Sequence, residues 1–266
     1  MLENGKGNIV GVLIDAVDSK AATNRVVTAA RERRPMAISA LAVHGVMTGV
    51  LDSEHRYRLN SFDLLVPDGQ PVRWALNLIH GTKIRDRVYG PDLMLAVCAR
   101  AAEEGLGVFL YGSTQEVLSG LKTNLERRFQ ALRITGMEPS KFRNLLPEER
   151  NDLISRVHSS GAEIIFVGLG CPRQEVWAYE FREALSMPIL AVGAAFPFLA
   201  GKIPQAPKWM QDRGLEWVFR LIVEPRLWRR YVFLNPAYAL LVAIQAMGLS
   251  RFASGGNPPL KETSYE

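Results

Sequence analysis

The segment EIIFVGLGCPRQEVWAYEFREAL, residues 163–185, places an apolar run, a glycine-containing turn and an amphipathic run in direct succession. The stretch at 163–167, which is apolar after Glu163, predicts a buried strand, and the pattern from 174 to 185 predicts a helix that begins after Pro172. This order of elements is typical of a strand–helix unit in an open parallel sheet.

The same alternation extends along most of the chain. Six further apolar runs predict strands and five further amphipathic runs predict helices, several of which begin at Pro and end at Gly. The predicted strands are 9–14, 36–42, 64–66, 108–111, 132–135 and 189–192, and the helices are 19–33, 71–79, 91–104, 114–129 and 147–159. We therefore predict an α/β fold with an open, mostly parallel sheet and helices on both faces.

The composition changes after residue 203. The chain becomes rich in Trp and Arg, then apolar at 236–249, and finally polar with Gly and Pro. We predict an α/β core at 1–203, an Arg/Trp-rich helical appendage at 204–250 and a disordered tail at 251–266. The apolar stretch is too short to span a bilayer, so it either caps the core or lies in a membrane interface.

The 266 residues carry a formal charge of +5, which favours an anionic partner such as nucleic acid, a phosphate-bearing substrate or a membrane surface. Two cysteines without a framework pattern indicate a reducing compartment. The first residues lack the long apolar region of a signal peptide, and no apolar run reaches the length of a spanning helix. We therefore expect a cytoplasmic protein.

Four short segments follow predicted strands. Ligands of open parallel sheets bind beyond the carboxyl ends of the strands, so these segments are expected to meet in one site. They are PDGQP at 67–71, YGSTQE at 111–116, GLGCPRQE at 168–175 and GAAFPFLAG at 193–201.

Polar residues in these segments suggest specific roles. Asp68 can act as a general base, although Asp-Gly is also a common turn dipeptide. Gly112 and Ser113 precede a helix whose N-terminus favours phosphate, but Gly is also a turn residue and Ser or Thr a helix cap. Arg173 can pair with a phosphate, and Gln174 can hydrogen-bond a sugar hydroxyl or a base edge.

Several other chemistries lack support in the sequence. Cys171 has no evident histidine partner, and Cys98 falls on the apolar face of a predicted helix. The chain has no metal-ligand spacing and neither GxGxxG nor GxxxxGK[ST]. A diphosphate would therefore depend on arginines, such as those near Trp228 and Tyr231, which can equally form a solvated helix face.

Five stretches together resemble the WecG/TagA/CpsF family of bacterial glycosyltransferases (glycosyltransferase family 26), over roughly residues 9–231. They are DLLVPDGQPVRWALNLIHG, RDRVYGPDLM, VFLYGS, FVGLGCPRQEVWAYE and the stretch from AVGAAFPF to WRRY. The resemblance implies a Rossmann-like fold and a metal-independent, inverting transfer of a sugar from a UDP-sugar to a polyprenyl-diphosphate-linked sugar. No cofactor and no nucleic acid are implied.

The resemblance also implies a location and site residues. The enzyme is expected at the inner face of the cytoplasmic membrane, where the appendage completes the site, and relatives can form homo-oligomers. By position, Asp68 is the base, Gln174 the site glutamine and Arg87 the arginine of RVxG. The expected substrate-binding residues are Gly69, Gly112, Ser113, Gly168, Gly170, Arg173, Gly193, Arg220, Arg226, Arg229 and Arg230.

Two departures from the family pattern affect specificity. Many relatives have T-x-N before PDG, where this chain has Ala40 and Ala42, so that Ser39 or His44 is left to substitute. Relatives often have RAP where this chain has QAP at 205–207. The sequence therefore does not identify the donor sugar or the acceptor sugar. The alternative function is a catalytically inactive, membrane-associated protein that binds a nucleotide sugar. An oxidoreductase or a cysteine hydrolase on the same fold is disfavoured by the missing GxGxxG and the unpaired cysteine.

Overall fold

The computed structural model describes residues 1–259, and within this range the chain forms eight strands. Six of them make one parallel sheet, and the first two make a separate antiparallel ribbon. The strands are β1 Glu3–Ile9, β2 Val12–Val17, β3 Met36–Leu41, β4 Leu64–Pro67, β5 Gly107–Gly112, β6 Arg133–Glu138, β7 Ile164–Gly168 and β8 Pro188–Ala191.

Twelve α-helices connect and cover these strands within the same range. They are α1 Ser19–Arg31, α2 Val43–Leu51, α3 Ser53–Asn60, α4 Gln70–His80, α5 Gly90–Glu104, α6 Gln115–Arg128, α7 Pro147–Ser159, α8 Arg173–Leu185, α9 Ala195–Leu199, α10 Lys208–Asp212, α11 Glu216–Val223 and α12 Asn235–Ala246.

The large sheet has the strand order β4-β3-β8-β7-β5-β6, and every neighbouring pair is parallel. The Rossmann-like α/β prediction is therefore confirmed. Because all six strands run the same way, their carboxyl ends lie along one edge. That edge is where a doubly wound sheet binds its ligands.

Apolar side chains alternate between the two faces of the sheet, as a pleated strand requires. In β7, Ile164 and Phe166 pack in the layer with α1, α5, α6 and α9, whereas Ile165 and Val167 pack with α2, α3, α7 and α8. Trp177 of α8 stacks on Phe181, with ring centroids 4.3 Å apart. A core on both faces fixes the strand ends rigidly.

The single strand predicted at 9–14 is wrong. The chain turns at Val10 and Gly11, whose φ angles are 45° and 96°, and the flanking strands pair with each other instead of joining the large sheet. The Gly11 N–H donates to Asn8 Oδ1 at 2.7 Å. Valine rarely adopts positive φ, so this turn carries no sequence signal.

Two helices between residues 43 and 60 are absent from the sequence prediction. Two glycines and three valines in α2 give this segment a weak helix propensity. Asp52 separates the helices, because its carboxylate accepts the N–H groups of Glu54 and His55 and so begins α3.

Helix α12 packs one face onto the core. Tyr238 and Val242 are buried there, and Gln245 Nε2 donates to Asn8 O at 2.8 Å. Leu240, on the other side, is exposed. Of the two placements considered for 236–249, contact with the core is observed. Among residues 1–259, no helix combines the length and apolar character needed to cross a bilayer.

Residues 251–259 have no regular secondary structure but hydrogen-bond to the core. The carbonyls of Phe252, Ser254 and Gly255 accept hydrogen bonds from Asn8, Asn60 and Arg56, at 2.6–2.7 Å. The remainder of the predicted disordered tail, 260–266, lies outside the described residues.

Candidate functional site

A cavity of about 430 Å³ lies at the carboxyl edge of the sheet. Residues following β3, β4, β5, β7 and β8 line it, so all four segments expected at this edge contribute to one space. Glu216, Arg220 and Arg230 also line it, and they belong to residues 204–250, which we call the C-terminal segment. We call this space the main cavity.

A second, smaller cavity of about 100 Å³ adjoins the main cavity. Asp68, Glu216, Arg220 and Arg230 line both spaces. His44 and Trp217 line the smaller one. Asp68 therefore lies where the two cavities meet.

The structure sorts the predicted site residues by location. Gly69 and Arg87 lie at the smaller cavity. Within the described chain, Gly112 and Arg229 line neither cavity. The predicted residues that line the main cavity are Asp68, Ser113, Gly168, Gly170, Arg173, Gln174, Gly193, Arg220, Arg226 and Arg230.

Gly112 and Arg229 have other surroundings. Gly112 has a φ of 103°, and a Cβ there would lie 3.0 Å from the Gly168 carbonyl carbon, so it permits close packing of β5 against β7. Thr114 caps α6 by accepting the N–H of Val117, as the helix-cap interpretation predicts. Arg229 is exposed, with its guanidinium carbon 5.5 Å from the Trp228 ring centroid.

Asp68 is held in place by main-chain groups. Its N–H donates to Leu41 O at 3.1 Å, and its Oδ1 accepts the Gly90 N–H at 2.9 Å. Burial raises the pKa of Asp68 to about 6, against the opposing charge of Arg87, and Glu216 raises it further. Asp68 is therefore ionised at neutral pH yet basic enough to accept a proton.

Arg87 joins the core to α11. Its Nη2 lies 2.7 Å from Glu216 Oε2, and the Tyr89 hydroxyl donates to Glu216 Oε1 at 3.1 Å. Burial alone would lower the pKa of Arg87, but the carboxylates of Asp68 and Glu216 outweigh it and raise that pKa. Arg87 thus stays charged beside Asp68.

Gln174 forms part of the cavity wall at the start of α8. Its Nε2 donates to Glu175 Oε1 at 2.8 Å, and its Oε1 accepts the Gly170 N–H at 3.2 Å. A Cβ on Gly193 would lie 2.7 Å from Gln174 Oε1. Gly193 therefore allows the amide to reach its position.

Three arginines of the C-terminal segment line the main cavity, and they differ in their hydrogen-bond and ion-pair partners. Arg220 and Arg226 both pair with Glu224, at 2.6 and 2.9 Å. The Nε of Arg230 is buried and has no hydrogen-bond partner in residues 1–259. Burial lowers the pKa of Arg230, and the neighbouring charge of Arg220 contributes. This grouping favours an anionic ligand.

The residues at the T-x-N positions leave space. Ala40 and Ala42 both line the main cavity. Ser39 is buried, and its Oγ donates to Glu175 Oε1 at 2.8 Å. His44 lines the smaller cavity, and burial lowers its pKa to about 4. Of the two suggested substitutes, only His44 reaches one of these spaces.

Cys171 lines the main cavity, but burial and the charge of Glu175 raise the pKa of its thiol well above the usual value. That state disfavours a nucleophile. A histidine does lie beside it, because a nitrogen of His55 is within 4.8 Å of its Sγ. Sequence spacing did not reveal this pair. Cys98 is fully buried in the core, as predicted.

Sequence reasoning missed three residues of the site, namely Tyr89, Glu216 and Glu224. Tyr89 and Glu216 stand in the stretches RVYG and GLEW, within segments already quoted for their resemblance. Glu224 follows helix α11 directly. Glu216 and Glu224 pair with predicted arginines, and the Tyr89 hydroxyl donates to Glu216. Such contacts appear only in three dimensions.

The fold and site define an α/β protein with an arginine-lined ligand cavity at the carboxyl edge of a parallel sheet. The family model of the glycosyl transferase WecG/TagA/CpsF family matches residues 7–252. The chain therefore belongs to the WecG/TagA/CpsF glycosyltransferase family. Membership implies a glycosyltransferase of cell-surface polysaccharide synthesis and suggests a sugar donor and a lipid-linked acceptor.

Proposed function

We propose that this protein transfers a sugar from a UDP-sugar to a polyprenyl-diphosphate-linked sugar, with inversion and without a metal ion. One observation carries the proposal: Asp68, with a pKa raised to about 6, lies at the junction of two adjoining cavities. A base between a donor space and an acceptor space is the arrangement that a direct displacement needs.

The proposed step is a single displacement. Asp68 removes the proton of the acceptor hydroxyl, and the hydroxyl oxygen attacks the anomeric carbon of the donor sugar. The bond from that carbon to the diphosphate oxygen breaks, and its electron pair leaves with UDP. Because attack and departure take place on opposite faces, the anomeric configuration inverts. No covalent enzyme intermediate is required.

Arginines are the proposed stabilisers of the leaving diphosphate. Arg220, Arg226 and Arg230 face the main cavity from the C-terminal segment, and Arg173 faces it from α8. Guanidinium groups can bind phosphate oxygens in pairs and stabilise charge as it develops. In this proposal Glu224 releases Arg220 and Arg226 to the diphosphate. Gln174, which follows Arg173 on α8, contacts the donor sugar.

The surface of the C-terminal segment has features that favour binding to a membrane. Trp209, Trp217, Trp228 and Phe233 are exposed, and Arg229 lies beside Trp228. Exposed aromatic rings next to cations are typical of segments that lie in the headgroup region of anionic bilayers. We place this surface on the inner face of the cytoplasmic membrane, where a polyprenyl-linked acceptor reaches the smaller cavity.

The test is UDP release from a panel of UDP-sugars, with and without a polyprenyl-diphosphate-linked sugar, in EDTA. Release that needs one donor and the lipid acceptor is expected. It should fall by about 10²–10⁴-fold in Asp68→Asn but persist in Asp92→Asn, an exposed aspartate on α5. Loss of activity in EDTA that only Mg²⁺ restores would contradict the metal-free step. UDP binding without release for any pair favours the inactive binding protein.

A further inference from the structure

Three metal-ligating side chains meet in the wall beside the main cavity. His55 comes from α3, Cys171 from the turn after β7 and Glu175 from α8. One ligand atom from each lies within 4.8 Å of the other two. His55 is 1% exposed and Glu175 is 0% exposed, and Cys171 is half-buried at the cavity wall, so the cluster lies mostly in the interior.

The cluster contains polar atoms that lack partners. Within residues 1–259, three of its buried atoms have no hydrogen-bond partner, namely the two ring nitrogens of His55 and Oε2 of Glu175. Buried polar atoms almost always have a partner, and an exception calls for an unseen ion or water. Oε1 of the same carboxylate already accepts from Ser39 and Gln174, so the carboxylate is held with one oxygen in use.

The cluster separates two open spaces. His55 lines a cavity of about 210 Å³ together with Asp52 and Arg58, whereas Cys171 and Glu175 line the main cavity. A small cation therefore has a route to the cluster from either side.

We propose that His55, Cys171 and Glu175 form a binding site for a borderline-soft divalent cation of the zinc type. Imidazole nitrogen, thiolate sulfur and carboxylate oxygen are the three donor types that such a cation takes in proteins, and three protein ligands with one open position is a common arrangement. On binding, the Cys171 S–H bond breaks, the sulfur binds the cation and the proton leaves to solvent. Thiolate and carboxylate together balance the two positive charges.

The expected consequence concerns Gln174. Because Gln174 Nε2 donates to Glu175 Oε1, a cation on the second carboxylate oxygen would fix the amide at the cavity wall. The cation takes no part in the proposed sugar transfer. The inference stands on the cluster alone and does not depend on the proposed function.

The test uses the full chain after removal of metal by a chelator. Zn²⁺ is titrated against a chromophoric competitor, and Co²⁺ is added in a parallel sample. We expect about one ion per chain and a near-ultraviolet thiolate-to-cobalt absorption band. His55→Gln and Cys171→Ser should each weaken Zn²⁺ binding by more than about 100-fold, since they remove a ligand. His158→Gln and Cys98→Ala are the matched controls and should bind as the unaltered protein does.

Two results would overturn the proposal. One is the absence of the cobalt band, and the other is Zn²⁺ binding that His55→Gln and Cys171→Ser leave unchanged. A measurement on the unaltered chain guards against variants that fail to fold. Alkylation of Cys171, followed by peptide mass spectrometry, should slow when Zn²⁺ is present, and equal rates with and without Zn²⁺ would also refute the site.

Discussion

Arg87 Nη2 and Glu216 Oε2 lie 2.7 Å apart and join the α/β core to helix α11. Their side chains are only 10% and 15% exposed, so solvent screens this pair weakly. Because Asp68 lies next to both residues, the same contact attaches the C-terminal segment and adjusts the charge at the proposed base.

A double-mutant cycle should reveal the coupling between these two residues. Arg87→Gln and Glu216→Gln each remove one partner of a nearly buried ion pair, and each should lower the free energy of unfolding by about 2 kcal/mol. The double variant should lose less than the sum, with a coupling of about 1 kcal/mol. Urea unfolding measures all four proteins. Strictly additive losses would show that the pair contributes no coupling.

The pH dependence of kcat/KM should report Asp68. Its pKa is raised to about 6, and the base must be ionised, so activity should fall as the pH drops through about 6 and be constant above about 7. Asp68→Asn should lower kcat by about 10²–10⁴-fold while the Kd for UDP changes little. An acid limb in the range of an unperturbed aspartate would contradict the assignment.

Glu216→Gln offers a directional check on that limb. The carboxylate of Glu216 raises the pKa of Asp68, so its neutralisation should lower that pKa and move the acid limb to lower pH. Glu54→Gln is the control, because this half-buried glutamate on α3 lines neither the main nor the smaller cavity, and it should leave the limb in place. A shift to higher pH would mean that the loss of the Arg87 pairing dominates.

Two adjacent arginines should behave differently toward UDP. Arg230 lines both cavities, whereas Arg229 is exposed beside Trp228. Arg230→Gln should weaken UDP binding by about 10–100-fold, the range of a lost charge-assisted hydrogen bond. Arg229→Gln should leave the Kd within about twofold, if it makes no phosphate contact. Titration calorimetry measures the Kd for UDP of both variants. Equal losses of affinity would mean that the diphosphate does not bind beside Arg230 in the main cavity.

Binding to vesicles should depend on the exposed aromatic surface. Trp228→Ser combined with Phe233→Ser should lower partitioning onto anionic vesicles by at least about tenfold, because each substitution removes apolar area from the interface. Arg229→Gln should lower it by about fivefold, and only at low salt. Sedimentation with vesicles measures both. Trp74→Ser, at an exposed tryptophan outside the C-terminal segment, is the control.

The sheet edge was predictable because parallel strands end on one side. Asp68, Gly168 and Gly193 each follow an apolar run, and that pattern alone brings them to one cavity. The turn at Val10 was not predictable, since it depends on packing that forces a β-branched residue into positive φ.

Side-chain direction in the C-terminal segment was also beyond sequence reasoning. Successive residues of a helix point about 100° apart, so Arg229 and Arg230 point in different directions. Composition does not say which of the two faces the main cavity. The proximity of His55 to Cys171 and Glu175 likewise arises from three separate elements, and no local spacing encodes it.

The C-terminal segment is fastened at both ends to the same core. Ala206 is buried where the segment leaves the core, and Tyr238 and the carbonyl of Phe252 anchor its return. The arginines between these two anchors are therefore already ordered when the chain folds. The conformational entropy lost in closing the segment onto the core is part of folding and not of ligand binding. A ligand that meets them need not immobilise a free arm, so more of its contact energy is retained as affinity.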